Sequence, residues 1–79
     1  MQSDLTVSSL RELEVGGYGK IFAVELDGLL RRRLMDLGIL PGTFIECVRK
    51  SPAGDPIAFK VRNTVIALRS ADADLIKVI

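Results

Sequence analysis

The segment 27–42 constrains the fold more than any other part of the chain, because it predicts a short helix followed at once by a tight turn. Asp27 is a favourable N-cap residue, whose carboxylate can accept hydrogen bonds from the first helical turn. Gly38 can take the left-handed conformation that ends a helix, and Ile39 is placed to pack back onto it. The pattern therefore predicts a helix from about residue 28 to about residue 37.

A reversal of the chain is expected directly after this helix. Pro41 and Gly42 suit the central positions of a type II turn, since proline fixes φ at about −65° and glycine accepts a positive φ. The residues that follow are rich in β-branched and aromatic types. A strand is therefore expected to begin at Thr43.

Five short segments have the composition of β-strands. The segment 57–62 alternates, with Ile57, Phe59 and Val61 expected inward and Ala58, Lys60 and Arg62 outward, which predicts one buried face. The segment 20–26 carries Phe22 and Val24 on one face and Ile21 on the other, which predicts burial on both sides. The predicted strands are 20–26, 43–50, 57–62, 65–69 and 75–79.

Two short helical turns are predicted outside the main helix. Ser9 and Glu12 have the capping-box spacing, and Leu10 is expected to pack inward from this turn. Ser70 is expected to cap a single turn before the last strand. About five strands, one short inserted helix and an N-terminal helical turn predict a mainly β fold, a small and partly open SH3-like barrel. The whole chain, residues 1–79, is expected to be this one domain.

The composition argues against several functional classes. The chain has 11 basic and 10 acidic residues, no histidine and one cysteine. No imidazole is present to activate Cys47, and one cysteine without histidine leaves too few ligands for a zinc site. The chain is therefore not expected to be an enzyme, and no catalytic residue, cofactor or metal site is predicted. No apolar run is long enough to span a bilayer, and the N-terminus has no signal pattern. We therefore expect a cytoplasmic protein without membrane insertion.

The exposed face of the predicted helix is the candidate partner-binding surface. Steps of about 100° per residue spread its three arginines over a wide arc, while Leu29 and Met35 lie off the apolar stripe. One interpretation is a solvated face whose arginine stems cover the core. The other is a docking surface with Leu29 and Met35 as apolar contacts and Arg31 and Arg32 at the rim. The stripe toward the core is expected to consist of Leu30, Leu34 and Leu37.

Several motifs together resemble the FeoA family, the small cytosolic components of bacterial ferrous iron uptake, which have an SH3-like barrel. They are the Leu-Gly-x-x-Pro-Gly element within 33–43, Gly54-Asp55-Pro56-Ile57, and Ala67-Leu68-Arg69. The resemblance covers nearly the whole chain. It implies an accessory or regulatory protein that binds the cytosolic part of a FeoB-like, GTP-binding membrane transporter. We expect the predicted helix to dock a segment of that transporter.

Other functional classes stay open at this point. The same barrel resembles the C-terminal domain of iron-dependent repressors, which would make the chain a metal-responsive regulatory module. A small RNA-binding barrel is a weaker alternative, because the charge is near neutral and aromatic residues are few, so no nucleic acid partner is expected. A weak homo-oligomer through an exposed strand edge is also left open. The RNA alternative would use Arg31, Arg32, Arg33, Arg49, Lys50 and Arg62.

Overall fold

The computed structural model describes residues 7–79, which form a single open sheet of six strands with one main helix. The elements in chain order are β1 (Ser8–Ser9), a 3₁₀ turn (Leu10–Glu12), β2 (Tyr18–Val24), α1 (Gly28–Asp36), β3 (Phe44–Lys50), β4 (Ile57–Val61), β5 (Thr64–Leu68), α2 (Ser70–Ala73) and β6 (Ile76–Val78). Residues 1–6, which the expected domain includes and on which the signal-pattern prediction depended, lie outside the described residues.

The strands follow the order β1-β6-β2-β3-β4-β5, and each described pairing is antiparallel. Since β1 and β5 are the two ends of this order and do not pair with each other, the sheet is curved but not closed. The predicted mainly β, partly open architecture with an inserted helix is therefore confirmed. The structure adds a sixth strand, β1, whose two residues pair with β6.

One apolar cluster fills the inside of the curved sheet. In β4 the alternation is as predicted, with Phe59 fully buried between two other inward residues. Leu34 of α1 and Leu10 of the 3₁₀ turn close the cluster from outside the sheet, whereas Leu37 is 38 % exposed and does not join it. The buried apolar residues are Leu10, Ile21, Leu26, Leu34, Ile39, Ile45, Cys47, Ile57, Phe59, Val61, Leu68, Ala73, Ile76 and Val78.

The outer face of β2 differs from the prediction. Phe22 was expected to be buried, yet it is 52 % exposed, while Ile21 beside it is fully inside. The register of β2 against β6 shifts between Ile21 and Ala23, and the exposure of Phe22 shows that no element within residues 7–79 covers its side chain. A strand with apolar residues on both faces is buried twice only where another layer packs on it. The prediction of double burial was therefore wrong for β2.

The short helix α2 is capped from another part of the chain. Ser70 was expected to be its N-cap, but the N-cap position belongs to Arg69. Ser70 instead donates from its backbone N–H to Asp55 Oδ1, and its hydroxyl donates to Asp55 Oδ2 over 3.0 Å. These bonds hold the pKa of the Asp55 carboxyl below its ordinary value, the backbone bond being the larger cause. The β3–β4 loop is thus tied to the start of α2.

The N-terminal turn is tied to the same helix at its other end. Glu12 Oε1 accepts a hydrogen bond from the Ser9 N–H over 3.3 Å, which is one half of the predicted capping box. The Ser9 hydroxyl donates to Asp74 Oδ1 over 2.9 Å, so this buried serine has a partner. Leu10 is fully buried, as predicted.

Candidate partner-binding site

Helix α1 begins with a glycine in an unusual conformation. Asp27 stands at the N-cap position with extended backbone, but its side chain makes no capping hydrogen bond. Gly28 follows with φ of +69°. Because this left-handed residue changes the direction in which the chain enters the helix, the Asp27 carboxylate is not held over the first-turn amides. The predicted position of the N-cap is correct, while the predicted side-chain cap is wrong.

The other end of α1 follows the prediction closely. The Ile39 N–H donates to the Leu34 carbonyl over 3.0 Å, and the Gly38 N–H donates to the Met35 carbonyl over 3.1 Å. Together with φ of +109° at Gly38, these two bonds form a Schellman stop. The type II turn follows, with the Thr43 N–H bonded to the carbonyl three residues earlier over 3.0 Å. The helix is therefore fixed at its end by tightly bonded backbone.

The first turn of α1 lines an open groove with a volume of about 610 Å³. Leu29 is 78 % exposed at this groove, and Arg31 and Arg32 are exposed beside it. The side chain of Asp27 is the one carboxylate in the lining, and the nearly buried Leu26 completes it. The groove thus presents an apolar side chain beside two cations and one anion.

Met35 does not share this groove with the other predicted residues. It is half-buried, and it lines neither the first groove nor the shallower depression of about 200 Å³ formed by Leu29, Arg32, Arg33 and Asp36. Six helical steps of about 100° place Met35 about 120° around the helix from Leu29. The structure therefore brings Leu29, Arg31 and Arg32 together and separates Met35 from them.

The other cations that line grooves lie beside carboxylates. Lys60 and Arg62 line a groove of about 320 Å³ together with Glu46, and Lys50 lines another of about 330 Å³ together with Asp55. As in the α1 groove, each cluster of cations contains a carboxylate. A nucleic-acid track needs adjacent cations along one path. This arrangement gives no such path through the three grooves.

The single cysteine belongs to the core. Cys47 is fully buried in β3, and desolvation by burial is the main cause that raises the pKa of its thiol. Its thiol is therefore protonated at neutral pH and packs as a small apolar group. Within residues 7–79, no three His, Cys, Asp or Glu side chains are grouped so as to hold a metal ion. None of the helices in the same range is both long and apolar enough to cross a bilayer.

The short antiparallel strands, the open curved sheet and the inserted helix define a small SH3-like domain. Residues 8–79 match the family model of the FeoA domain, and the chain belongs to this family. Proteins of the family take part in ferrous iron transport. The resemblance seen in the sequence motifs is thereby confirmed.

One curated relative joins an FeoA part to a transporter. It is the Fe(2+) transport protein A/Fe(2+) transporter FeoB fusion protein of Porphyromonas gingivalis, 33 % identical over 69 residues. The match covers 87 % of this chain, and the chain spans 8 % of the length of the fusion protein.

Solved structures show the same fold. The FeoA protein of Chlorobium tepidum is 34 % identical with a TM-score of 0.84, over 89 % of this chain and 67 % of that one. The FeoA of Stenotrophomonas maltophilia in complex with zinc, described as a prokaryotic SH3 domain protein, is 29 % identical with a TM-score of 0.79, over 90 % and 88 % of the two chains. A manganese-dependent transcriptional repressor has a TM-score of 0.82 at 17 % identity, over 98 % and 43 %, which shows a shared fold alone.

Proposed function

We propose that this chain is an accessory protein of ferrous iron uptake that binds the cytosolic region of a FeoB-like, GTP-binding membrane transporter. The observation that carries the proposal is the fusion protein of Porphyromonas gingivalis, in which the two parts share one polypeptide. Covalent linkage keeps two domains at a high effective concentration, which favours their contact even when the affinity is modest. A functional contact between the FeoA part and the FeoB part accounts for such a fusion.

The groove at the start of α1 is the surface that we assign to this contact. Leu29 is an apolar side chain that packing within the domain leaves 78 % exposed. Arg31 and Arg32 flank it, and both carry planar guanidinium groups that pair well with carboxylates. The groove therefore fits a segment of the transporter that offers an apolar side chain beside acidic residues. This chemistry of the partner follows from charge complementarity.

The contribution of Leu29 to such a complex can be estimated. Full burial of a leucine side chain contributes about 1.5–3 kcal/mol. Because the side chain is already about one-fifth covered, roughly 1–2 kcal/mol is available on binding. Since 1.4 kcal/mol corresponds to a tenfold change in dissociation constant, Leu29 alone is worth roughly five- to thirtyfold in affinity. Exposed arginines at the rim contribute mainly to the association rate.

The chain acts in this proposal by binding and not by catalysis. Cys47, its single cysteine, is fully buried in the core, where burial raises the pKa of its thiol, and histidine is absent from the sequence. The cytoplasmic side of the membrane is the place of action, because that is where the GTP-binding part of such a transporter lies.

Amide chemical shifts test the proposal. Isotope-labelled protein is titrated with the isolated GTP-binding domain of a FeoB-like transporter, once with GDP and once with a GTP analogue. We expect shifts on α1 and the residues that line its groove, above all at Leu29, Arg31 and Arg32. A difference between the two nucleotides would indicate that binding is linked to the GTPase cycle. No shift at high protein concentration, or shifts confined to other surfaces, would overturn the assignment.

A further inference from the structure

Strand β5 (Thr64–Leu68) forms an open and unusually unprotected edge of the sheet. Within residues 7–79 it pairs with β4 alone, because it is the last strand in the order. Its sequence, Thr-Val-Ile-Ala-Leu, contains no charged residue and no proline. Edge strands of soluble proteins usually carry one of these to prevent pairing with another chain. The opposite edge, β1, has only two residues and offers little to a partner.

The turn between β4 and β5 decides which backbone groups of β5 are free. Arg62 and Asn63 form a two-residue turn with φ of +56° and +86°, as a type I′ hairpin requires. The flanking residues Val61 and Thr64 lie opposite each other and exchange both backbone hydrogen bonds in such a hairpin. Bonded and non-bonded pairs then alternate along the ladder, so every second residue of β5 directs its backbone away from β4.

Val65 and Ala67 are the residues whose N–H and C=O groups point outward. In the part of the chain that the structure describes, neither residue has a backbone hydrogen bond to another element. The Val65 side chain is 61 % exposed, and Ala67 is exposed as well. The edge therefore offers four free backbone groups beside small apolar side chains, which is the recognition surface for an added strand.

We propose that two copies of this chain associate by antiparallel pairing of their β5 strands. The two-fold axis passes at Ile66, so that Val65 of one copy lies opposite Ala67 of the other. In this register both outward-facing residues of each strand enter bonded pairs, which gives four hydrogen bonds between the copies. A shift by two residues in either direction leaves a single bonded pair within the strands. The register is thus set by the backbone.

The uncharged strand, which pairs symmetrically with itself, favours a second copy as the occupant. No like charges face each other along β5, since the strand has none. Antiparallel pairing brings the turn at Arg62 of one copy toward the start of α2 in the other, where Asp55 binds Ser70. Each end of the paired strands therefore carries both signs of charge, since Asp55 lies there with Arg69 of its own copy and near the turn of the other copy.

Sedimentation velocity of the full chain, from micromolar to millimolar concentration, tests the proposal. We expect a monomer–dimer equilibrium, with the Val65 and Ala67 amide protons gaining protection from exchange as the dimer forms. Ala67→Pro removes an outward N–H while it leaves the β4 ladder intact, and Val65→Lys adds a charge to the edge. Each variant is expected to raise the dissociation constant of the dimer by at least roughly tenfold. Because of the two-fold symmetry each change occurs twice in one dimer, so Ala67→Pro removes two hydrogen bonds and Val65→Lys places two like charges at the interface.

Phe44→Lys is the matched control, because Phe44 is 63 % exposed on the outer face of β3, away from the edge. It is expected to leave the dimer unchanged. A chain that stays monomeric throughout overturns the proposal, and so does a dimer that Phe44→Lys weakens and the edge variants do not. Concentration-independent protection of the two amides also overturns it, because the edge would then be covered within a single copy.

A cysteine at the two-fold axis tests the register. Directly opposite residues of a non-bonded antiparallel pair have Cα atoms about 4.5 Å apart, within the range for a disulfide. Ile66→Cys is therefore expected to form a cross-linked dimer in oxidised glutathione, while the buried Cys47 stays unmodified. Failure to cross-link in solutions that contain the dimer overturns this register.

Discussion

Replacing Gly38 by alanine is expected to destabilise the domain, because the stop of helix α1 needs a backbone conformation that other residues avoid. Gly38 has φ of +109° and lies buried between α1 and the β4–β5 turn. A Cβ atom added here would lie 3.1 Å from Cδ of Arg62. The substitution therefore meets two obstacles, backbone strain and a close contact with a side chain.

The backbone strain is the larger of the two. A left-handed conformation costs a residue with a Cβ about 1–2 kcal/mol relative to glycine. The Arg62 contact adds less, since the far part of a flexible side chain can move by a few tenths of an ångström. We expect a loss of about 1–2 kcal/mol in the free energy of unfolding. For a domain of this size that lowers the melting temperature by roughly 4–16 °C.

Thermal and urea unfolding followed by circular dichroism measures this loss. Arg62→Ala and the double variant Gly38→Ala/Arg62→Ala complete a cycle that separates the contact from the strain. We expect Gly38→Ala to retain most of its cost in the Arg62→Ala background. A Gly38→Ala protein within about 0.5 kcal/mol of the parent would refute the reasoning, because the left-handed residue would then be dispensable. A cost that vanishes without Arg62 would assign it to the contact instead.

Three further predictions follow from individual contacts. Asp55→Asn weakens the tie to Ser70 at neutral pH. Because folding lowers the pKa of Asp55, the carboxylate stabilises the fold above its unfolded pKa and loses this effect as the pH falls below about 4, so the urea midpoints of variant and parent should converge there. Cys47 should resist alkylation in the folded protein and react once urea unfolds it; equal rates in both states would contradict its burial. Leu34→Ala should lose about 2–5 kcal/mol of stability as a core truncation, whereas Leu29→Asp should stay within about 0.5 kcal/mol; equal losses in urea unfolding would show that α1 is packed differently.

Local backbone signals in the sequence were the most reliable guides to the fold. The stop at Gly38 and the turn at Pro41-Gly42 depend on a few neighbouring residues, and both form as predicted. The alternation in β4 likewise predicts its buried face correctly. These features could be inferred because their causes lie within one turn or one strand.

Features that depend on distant residues could not be inferred in the same way. Asp55 caps α2 from 15 residues away, so a rule that looks for a cap beside the helix selected Ser70 instead. Strand β1 is too short to show a pattern, and it exists only because β6 lies beside it. The exposure of Phe22 depends on whether another layer packs on β2, which apolar composition alone does not reveal.

The candidate site was predicted in part. Leu29, Arg31 and Arg32 lie together because they fall within about one turn at the exposed start of α1. Met35 was grouped with Leu29 because both lie off the apolar stripe, but they lie on opposite flanks of the helix. The period of the helix alone is enough to place Leu29 and Met35 on different sides of it. A prediction that had distinguished the two flanks would have left Met35 out.

The central claim is that the α1 groove binds the GTP-binding part of a FeoB-like transporter. Titration calorimetry with that isolated domain compares the parent, Leu29→Asp and Val15→Asp, where Val15 is a control residue that is 58 % exposed in a loop outside the groove. The account predicts that Leu29→Asp raises the dissociation constant by at least about fivefold and that Val15→Asp leaves it unchanged. Equal affinities for all three proteins would contradict it.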